Sequence, residues 1–323
     1  MNYTKNDGKG NVEGFFLVAS CSVKMTKKNQ PYLDMVLCDP TGEINAVFWE
    51  YDPNIHGEFE VNTVIKVRGN VSQYNGSDQL RVERIRRTGE GDNISIADFV
   101  PSAEISGEVL YSSIINLVES FEDPDLKKLC LEILSEEKDH LLFWPAAFKL
   151  HHAVRGGLLY HTLSVARLCD SICKIYPFIR RDLLLAGAVL HDIGKIWEFQ
   201  VGEAGIANDY SIKGNLLGHL YMGALKVQEI GAKLGIDPEK SLLLQHMLIS
   251  HHGDPEFGAA VRPMFIEAEV LSQLDCLDAT IYEMGSAISG VEKGEFTGRQ
   301  WALDNRKLYN HGLEDTTPKA KLI

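Results

Sequence analysis

A histidine and an aspartate stand side by side, as His191 and Asp192, near the end of the apolar stretch LLLAGAVLHDIGKIW. Core packing does not require an imidazole and a carboxylate there, yet a buried histidine held by a neighbouring carboxylate is a common structural feature. The pair alone therefore leaves a structural and a chemical interpretation open. More such residues recur along this half of the chain, each at the polar margin of an apolar segment: His161, His219, His251 and Asp275.

Imidazole nitrogens and carboxylate oxygens are the ligands that proteins use for Mn²⁺, Fe²⁺, Co²⁺, Zn²⁺ or Mg²⁺. Histidines buried separately would each need a partner of their own. The set is therefore better explained as a metal site than as scattered core residues. His246 and Asp278 lie about one helical turn from His251 and Asp275, and we interpret them, together with His252, as supporting, packing or surface residues rather than ligands.

The order H … HD … H … HH … D resembles the signature of the HD superfamily of metal-dependent phosphohydrolases. The resemblance implies that bound cations activate a water for attack on phosphorus. It also implies catalytic roles for Asp192, which would bridge to a second cation, and for Lys195, which would neutralise the phosphate. The ligands of the first cation would be His161, His191, Asp192 and Asp275. His219 and His251 would complete a second cation site or, with His252, bind the substrate phosphate.

Helices must position these residues, because from about residue 105 onward apolar residues recur at spacings of three and four. We expect a buried helix over residues 183–197 that carries the His-Asp pair at its polar end. A second helix should start at the glycine pair 156–157 and carry His161. Residues 198–210 are expected to form a small hairpin. The sequence therefore predicts an all-α HD domain over residues 105–310.

The N-terminal part has a different period, with short runs that alternate apolar and polar residues between turn signals. We expect the strands GFFLVASCSVKM, YLDMVLCD, EINAVFWE, NTVIKVRGNVSQY and DQLRVERIRR, with turns at residues 39–42 and 75–76. A connector at 53–59 separates the third strand from the fourth. This order resembles the OB-fold, a small Greek-key barrel that often binds single strands. The prediction is an all-β OB-fold barrel at residues 12–88, followed by a linker at 89–104.

Aromatic and basic side chains of the barrel are candidates for binding a strand, since bases stack on aromatic rings and phosphates pair with cations. For any single one of them, core packing or a solvated strand face is the simpler explanation. Arg84 and Arg86 share one face of the last strand, which favours a basic surface there. The stacking candidates are Tyr32, Phe48, Trp49 and Tyr74, and the phosphate candidates are Lys66, Arg68, Arg81, Arg84 and Arg86.

The composition, with 45% hydrophobic and 24% charged residues, is typical of a globular protein, and 323 residues suffice for two domains. The net charge of −13 argues against bulk electrostatic capture of nucleic acid, although a local basic surface and metal ions can still hold a strand. We see no apolar stretch of about 18 residues and no signal-peptide pattern at the start, so we expect a cytoplasmic protein without a membrane segment. The six cysteines form no CxxC pair and are expected to pack as small apolar groups.

The OB-like part, followed by PAAFKLHHAVRGGLLYHT, LLLAGAVLHDIGK, GHL and SHHGDPEFGA, resembles the YhaM-type 3′→5′ exoribonuclease family over residues 12–300. The resemblance implies metal-dependent removal of nucleotides from the 3′ end of single-stranded RNA, and it leaves single-stranded DNA open as a further substrate. Mn²⁺ or Co²⁺ would be the favoured ion, with one or two per chain. Arg155, close to His151 and His152, is expected either to contact the substrate phosphate or to have a structural role.

Two other functions remain open. In one, the HD site hydrolyses a small nucleotide, such as a nucleoside triphosphate or a cyclic phosphate, and the OB part is regulatory. In the other, the protein is a nucleic-acid-binding factor whose metal site is incidental, an alternative against which the complete ligand set argues. The sequence also leaves the native metal open, and both a monomer and a homo-oligomer are compatible with it.

Overall fold

The structure is a computed structural model of the 323-residue chain, and it describes residues 4–6, 10–39, 42–74, 77–148, 153–202, 204–313 and 320–323. The chain folds into two compact units, Met1–Ser102 with Gly202–Ile206 and Ala103–Val201 with Ala207–Ile323. Across the described residues, no helix combines the length and apolar character needed to cross a membrane. The centres of both predicted turns, at 40–41 and 75–76, lie outside the described residues.

The first unit is built on one antiparallel-rich sheet that closes into a five-stranded barrel. Its strands follow the order β1-β2-β3-β4-β6-β5, in which β4 and β6 are parallel, and β2 also pairs with β5. This arrangement confirms the predicted OB-fold. The strands are β1 (Thr4–Asn6), β2 (Asn11–Met25), β3 (Pro31–Asp39), β4 (Gly42–Phe48), β5 (Val64–Tyr74) and β6 (Ser77–Arg87), and the short helix α1 (Pro53–His56) connects β4 to β5.

Barrel closure depends on the long strand β2. Its first half pairs with β5 and its second half with β3, and its register shifts between Val18 and Ser20. Such an irregularity bends a strand and lets it serve both neighbours. Alternation along β3 turns Leu33, Met35 and Leu37 into the barrel, which explains why this strand reads as a half-buried one.

Residues 89–104 are more ordered than the linker predicted from the sequence. They contain two short 3₁₀ turns, Glu90–Asp92 and Ile96–Asp98. Phe99 and Val100 after them are buried in a small apolar cluster that belongs to the first unit. The segment's Gly, Asp, Asn and Pro residues and its lack of periodicity predict a linker, whereas apolar residues among them, Phe99 and Val100, pack. The predicted bounds 12–88 and 105–310 remain a prediction of domain extent.

The second unit is helical, as predicted, with one small hairpin. Its core is formed by the apolar faces of packed helices, and α5 and α6 are buried over most of their length. The hairpin pairs β7 (Phe199–Val201) with β8 (Ala207–Tyr210). The helices are α2 (Gly107–Glu119), α3 (Pro124–Glu136), α4 (Lys138–Leu141), α5 (Gly157–Ile175), α6 (Arg181–Leu190), α7 (Lys195–Glu198), α8 (Ile212–Leu234), α9 (Pro238–Ser250) and α10 (Ile266–Ser289).

The helix predicted over residues 183–197 is interrupted. Helix α6 ends at Leu190, residues 191–194 form a turn, and α7 begins at Lys195. Gly194 passes so close to the neighbouring backbone that a Cβ atom there would lie 2.0 Å from the carbonyl oxygen of His219. The His-Asp pair therefore occupies a tight turn at the end of a buried helix, and not the middle of a continuous one.

Candidate metal centre

Five elements of the second unit bring the predicted metal-binding residues together. His161 lies on α5, the His-Asp pair follows α6, and Asp275 lies on α10. The remaining two histidines come from α8 and from the residue that follows α9. All are buried except Asp275, which is partly exposed. The complete group, called the metal-binding cluster below, is His161, His191, Asp192, His219, His251 and Asp275.

The first part of the cluster surrounds His161. Its Nε2 atom lies 3.2 Å from Nε2 of His191 and 3.0 Å from Oδ1 of Asp275. The Oδ2 atom of Asp192 lies 3.3 Å from Nε2 of His191. Because nitrogen and oxygen ligands bind a cation such as Zn²⁺ at about 2.0–2.2 Å, ligand atoms roughly 3–3.5 Å apart can share one ion. These four side chains therefore have the spacing of one cation site.

The second part of the cluster is formed around the other carboxylate oxygen of Asp192. Oδ1 lies 3.5 Å from Nε2 of His219 and 3.6 Å from Nε2 of His251. Within the described part of the chain, these three atoms are the buried side-chain nitrogens and oxygens that have no hydrogen-bond partner. Leaving buried polar atoms unpaired is unfavourable unless a ligand satisfies them. Their convergence fits a second cation.

Hydrogen bonds at Nδ1 orient the four histidines of the cluster. Nδ1 donates to the carboxylate of Asp278 in His161, and to Glu198 in His219, at 2.8 and 2.9 Å. In His191 and His251, Nδ1 donates at 2.8 Å to the backbone carbonyl oxygen three residues earlier. A carboxylate or a carbonyl oxygen only accepts, so the neutral ring carries its proton on Nδ1 and presents the Nε2 lone pair to the centre.

Glu198 is a functional residue that the sequence interpretation did not identify. Helix α8 is broken at Gly218, whose φ of 71° lies in the left-handed region, so the backbone N–H of His219 lacks a helical acceptor. The same Oε1 atom of Glu198 accepts from this N–H at 3.0 Å and from Nδ1 of the ring at 2.9 Å. The available signal is weak: a glutamate among the apolar residues of the stretch IWEF.

The protonation of the cluster follows from burial and from its charges. Burial opposes protonation of His161, but its hydrogen bonds to Asp275 and Asp278 outweigh burial and raise its pKa to about 10. Against the effect of burial, the hydrogen bond from His161 and the charge of His191 hold the pKa of Asp275 well below its usual range. Burial lowers the pKa of His251. At neutral pH the cluster thus offers ionised carboxylates and a neutral His251, while His161 is protonated.

Lys195 lies directly against the cluster. Its Nζ atom donates to Oδ2 of Asp192 at 2.6 Å, and its backbone carbonyl accepts a hydrogen bond from the buried Trp144 ring. Burial alone would raise the pKa of the Asp192 carboxyl, but the charges of Lys195 and His191 hold it well below its usual range. The lysine also lines a cavity of about 710 Å³ that opens onto the cluster, so its ammonium group is placed where a substrate phosphate could enter.

The remaining residues predicted near the site are distributed differently. Asp278 supports His161, as described above, and His252 lies beside the rings of His219 and His251, where burial lowers its pKa to about 4. His246 points elsewhere, and its Nε2 accepts from the backbone N–H of Met264. Two further predicted positions, His151 and His152, lie outside the described residues.

Arg155 is not among the residues that line the cavity. Its guanidinium group lies 5.1 Å from the centroid of the Phe143 ring. This cation–π contact is of the kind that packs an arginine against the protein. The contact with Phe143 thus supports a structural role for Arg155. A contact between Arg155 and the substrate phosphate remains a prediction.

The barrel residues predicted to bind a strand fall into two places. The rings of Tyr32 and Trp49 lie against each other, with centroids 4.5 Å apart, and Trp49 lines a cavity of about 480 Å³ together with Arg81. Arg84 and Arg86 line a separate cavity of about 450 Å³. Arg86 donates two hydrogen bonds to the Asp92 carboxylate. Among the described contacts, Arg84 makes no such hydrogen bond to Asp92.

The basic cavity contains further candidates. Pairing of β5 with β6 places Lys66 opposite Arg86 and Arg68 opposite Arg84. Like charges directly opposite each other on neighbouring strands destabilise a sheet, so a surface of this kind favours an anionic ligand. Two stacking candidates differ in exposure: Phe48 is buried in the barrel core, whereas Tyr74 is exposed.

Comparison with known proteins agrees with this two-part architecture. Residues 158–280 match the HD domain family, and residues 17–87 match a family described as an OB-fold nucleic acid binding domain. The HD match covers the segment that carries the whole metal-binding cluster. It indicates a metal-dependent phosphohydrolase.

Three solved structures with similarity to this chain each cover about a quarter of it. A chain from a replication protein A heterotrimer bound to ssDNA shares 17% identity over 25% of this chain and 59% of that chain, with a TM-score of 0.21. The second OB-fold domain of replication protein A from Methanococcus maripaludis shares 18% identity over 24% of this chain and 83% of that chain, with a TM-score of 0.20. An OB domain from Thermoplasma acidophilum shares 15% identity over 28% of this chain and 83% of that chain, with a TM-score of 0.22. From the family matches, the chain joins an OB-fold nucleic acid binding domain to an HD domain of the metal-dependent phosphohydrolases.

Proposed function

We propose that this protein is a metal-dependent 3′→5′ exoribonuclease of the YhaM type, which shortens single-stranded RNA by hydrolysis of its terminal phosphodiester. The observation that carries the hydrolytic part is the arrangement of Asp192, which directs one oxygen to each of two ligand groups. The nucleic-acid part is supported by the OB-fold match, and the order of the two domains supports the YhaM type.

Each half of the metal-binding cluster would hold one divalent cation, with Mn²⁺ or Co²⁺ as the proposed ion. Asp192 would be the ligand that both sites share. When bound, such cations lower the pKa of a coordinated water and stabilise charge on phosphoryl oxygens. The first site would use His161, His191, Asp192 and Asp275, and the second would use Asp192, His219 and His251.

The side chains around the cluster orient its ligands and neutralise the charge of the substrate phosphate. Glu198 and Asp278 fix the rings of His219 and His161 with the Nε2 atoms directed inward. Lys195 can transfer its hydrogen bond from Asp192 to a phosphate oxygen in the cavity, since a lysine ammonium group has three donors. These residues therefore hold the substrate phosphate and the ligands in place without serving as a nucleophile.

The barrel would hold the strand away from its 3′ end. Stacking on the Tyr32 and Trp49 rings tolerates any base, because every base has a flat face. Arg84 and Arg86 are proposed to contact phosphates, with Arg86 exchanging its contact with Asp92 for the strand. Such binding without sequence recognition is what an enzyme that shortens varied RNA requires.

The test offers Mn²⁺ and four substrate classes to the purified chain: 5′-labelled single-stranded RNA, duplex RNA, single-stranded DNA and a panel of nucleotides. We expect stepwise shortening of single-stranded RNA from its 3′ end. The variant His191→Ala with Asp192→Ala should lose hydrolysis and retain strand binding. His246→Ala is the matched control, because this histidine lies outside the cluster, and it should retain activity. Turnover of nucleotides with intact RNA would instead support a small-nucleotide hydrolase.

A further inference from the structure

Besides histidines, five aromatic side chains line the cavity that opens onto the metal-binding cluster. One of them, Phe199, is buried, and the other four come from four separate segments. Phe148 follows α4, Tyr210 ends β8, Phe257 ends a 3₁₀ turn after α9, and Trp301 begins a 3₁₀ turn near the C-terminus. We call these four residues the aromatic rim. The cavity thus combines cation-binding groups with flat apolar rings.

Two rings of the rim are strongly exposed, although they are held in place. Phe257 and Trp301 are each 73% exposed. The backbone carbonyl oxygen of Phe257 accepts from Nδ1 of His252 at 3.0 Å, which ties the backbone of Phe257 to the neighbour of His251. Trp301 shares its turn with the buried Leu303. Single exposed apolar residues are common on protein surfaces, but exposed rings that converge on one cavity point to a ligand.

The pairing of chemistries identifies the ligand class. Cation-binding groups and a lysine suit a phosphate, whereas aromatic rings suit another flat ring. A nucleotide contains both. A cavity of about 710 Å³ lies in the size range of small-molecule sites and can accept a terminal nucleotide. In a duplex each base is covered by its stacked neighbours, so only an unpaired end offers free faces to these rings.

We infer that the aromatic rim stacks the unpaired bases at the 3′ end of a single strand while the metal-binding cluster engages the terminal phosphodiester. This inference rests on the proposed function and adds how the end is recognised. Because a base is held as a flat ring, binding depends little on which base it is and strongly on whether a base is present. Selection of single strands then arises at the hydrolytic site itself, in addition to any selection by the barrel.

The test compares two 5′-labelled RNA tetranucleotides, one of ordinary sequence and one whose last two positions are abasic. Binding to the full chain is measured by fluorescence anisotropy without metal, in a Trp49→Ala background that removes stacking in the barrel. Trp301→Ala and Phe257→Ala should each weaken binding of the ordinary strand by about 5- to 150-fold, the range of one lost stack. Binding of the abasic strand should not change.

The matched control is Phe178→Ala, which removes a ring that is 68% exposed and does not line the cavity. It should bind both strands as the parent does, and melting temperatures verify that every variant is folded. The inference is overturned if both rim variants bind the ordinary strand normally, or if they lose the same factor on the abasic strand.

A second measurement separates this inference from the proposed function. If the parent shortens no strand with Mn²⁺, the exonuclease proposal fails, and the rim is then judged by binding of a nucleoside 5′-monophosphate against ribose 5-phosphate. A preference for the nucleotide that Trp301→Ala removes supports the rim. Equal binding of the two compounds overturns it. If strands are shortened, equal rates on ordinary and abasic ends overturn the rim and leave the exonuclease intact.

Discussion

At the level of single residues, the metal-binding cluster depends on which ring nitrogen of each histidine carries the proton. Four hydrogen bonds at Nδ1 decide this, two of them to carboxylates and two to backbone carbonyls. Backbone acceptors cannot be removed by substitution, whereas Glu198 and Asp278 can. These two carboxylates therefore offer the direct means to test whether orientation of the rings sets the metal affinity.

Glu198→Ala removes the acceptor for both the ring and the backbone N–H of His219. We expect metal affinity to fall by about 10- to 100-fold, the usual effect of losing such a supporting group. Titration of the metal-free protein with Mn²⁺ measures it. Glu229→Ala, which removes an exposed glutamate on the helix that carries His219, is the control and should bind metal as the parent does. Unchanged affinity in Glu198→Ala would mean that this carboxylate does not position a ligand.

Metal binding should release a proton from His161. The pKa of this ring is raised to about 10, so the metal-free protein carries the proton at pH 8, and a cation at Nε2 must displace it. Affinity should accordingly rise with pH up to about 10. Calorimetry in two buffers of different ionisation enthalpy should give about one proton released per chain from this group.

Asp278→Asn provides the control for that proton. Without the charge of Asp278 the pKa of His161 is lower, so a smaller fraction of the rings carries the extra proton at pH 9 before metal arrives. The number of protons released at pH 9 should be smaller in this variant than in the parent. Equal numbers in both proteins would show that His161 is not the source.

Some of these residues could be predicted from the sequence and others could not. The cluster residues stand out because each is polar at the edge of an apolar run, and the structure brings all six together. Glu198 gives no comparable signal, because its role exists only where the break at Gly218 exposes an N–H beside it. The rim residues Phe257 and Trp301 read as ordinary apolar positions, since exposure is a property of the fold.

At the level of elements, the turn between α6 and α7 sets the position of the His-Asp pair. Sequence periodicity predicts one helix through residues 183–197, because Ile193 and Ile196 continue the apolar pattern. The turn arises from a close approach to α8 at Gly194, which local periodicity does not report. A glycine within an apolar helix was the visible sign of such an approach.

Gly194→Ala should therefore destabilise the second unit by a steric clash and not by backbone strain. The residue has a φ of −61°, which suits alanine, but the added Cβ atom would lie 2.0 Å from the carbonyl oxygen of His219. Because the obstacle is backbone, we expect a loss of about 3 kcal/mol in the free energy of unfolding, at the upper end for overpacking, together with weaker metal binding. Urea denaturation measures it.

Gly298→Ala is the matched control, since a Cβ atom at that position meets nothing within 4 Å. It should unfold at nearly the same urea concentration as the parent. If Gly194→Ala is as stable as this control and binds metal normally, the contact between the turn and α8 is not what holds the His-Asp pair.

At the level of the whole molecule, the division into a barrel and a helical unit follows from the change of period along the chain. Alternation and turn signals predict the barrel strands well, because each strand has one buried face. The segment Gly202–Ile206 belongs to the first unit although it lies within the second part of the sequence. There Ala204 and Ile206 pack with Leu17 and Val64. These residues are far apart in the sequence, so no local sequence pattern predicts the contact.

Because the metal-binding cluster lies entirely within the second unit, metal should stabilise that unit and leave the barrel unchanged. A ligand that binds only the folded state at 100 times its Kd contributes about 2.7 kcal/mol, and units of 150–250 residues gain about 2–4 °C per kcal/mol. We therefore expect two unfolding transitions in calorimetry of the full chain, of which Mn²⁺ raises one by about 5–10 °C. In Asp275→Asn, which loses a ligand charge, this rise should be smaller.

A single-stranded oligonucleotide added to metal-free protein should raise the midpoint of the other transition, since the barrel is its proposed binding site. The two units are compact and have separate apolar clusters, which is why we expect them to unfold independently. If Mn²⁺ raised the midpoints of both transitions equally, this independence would be contradicted.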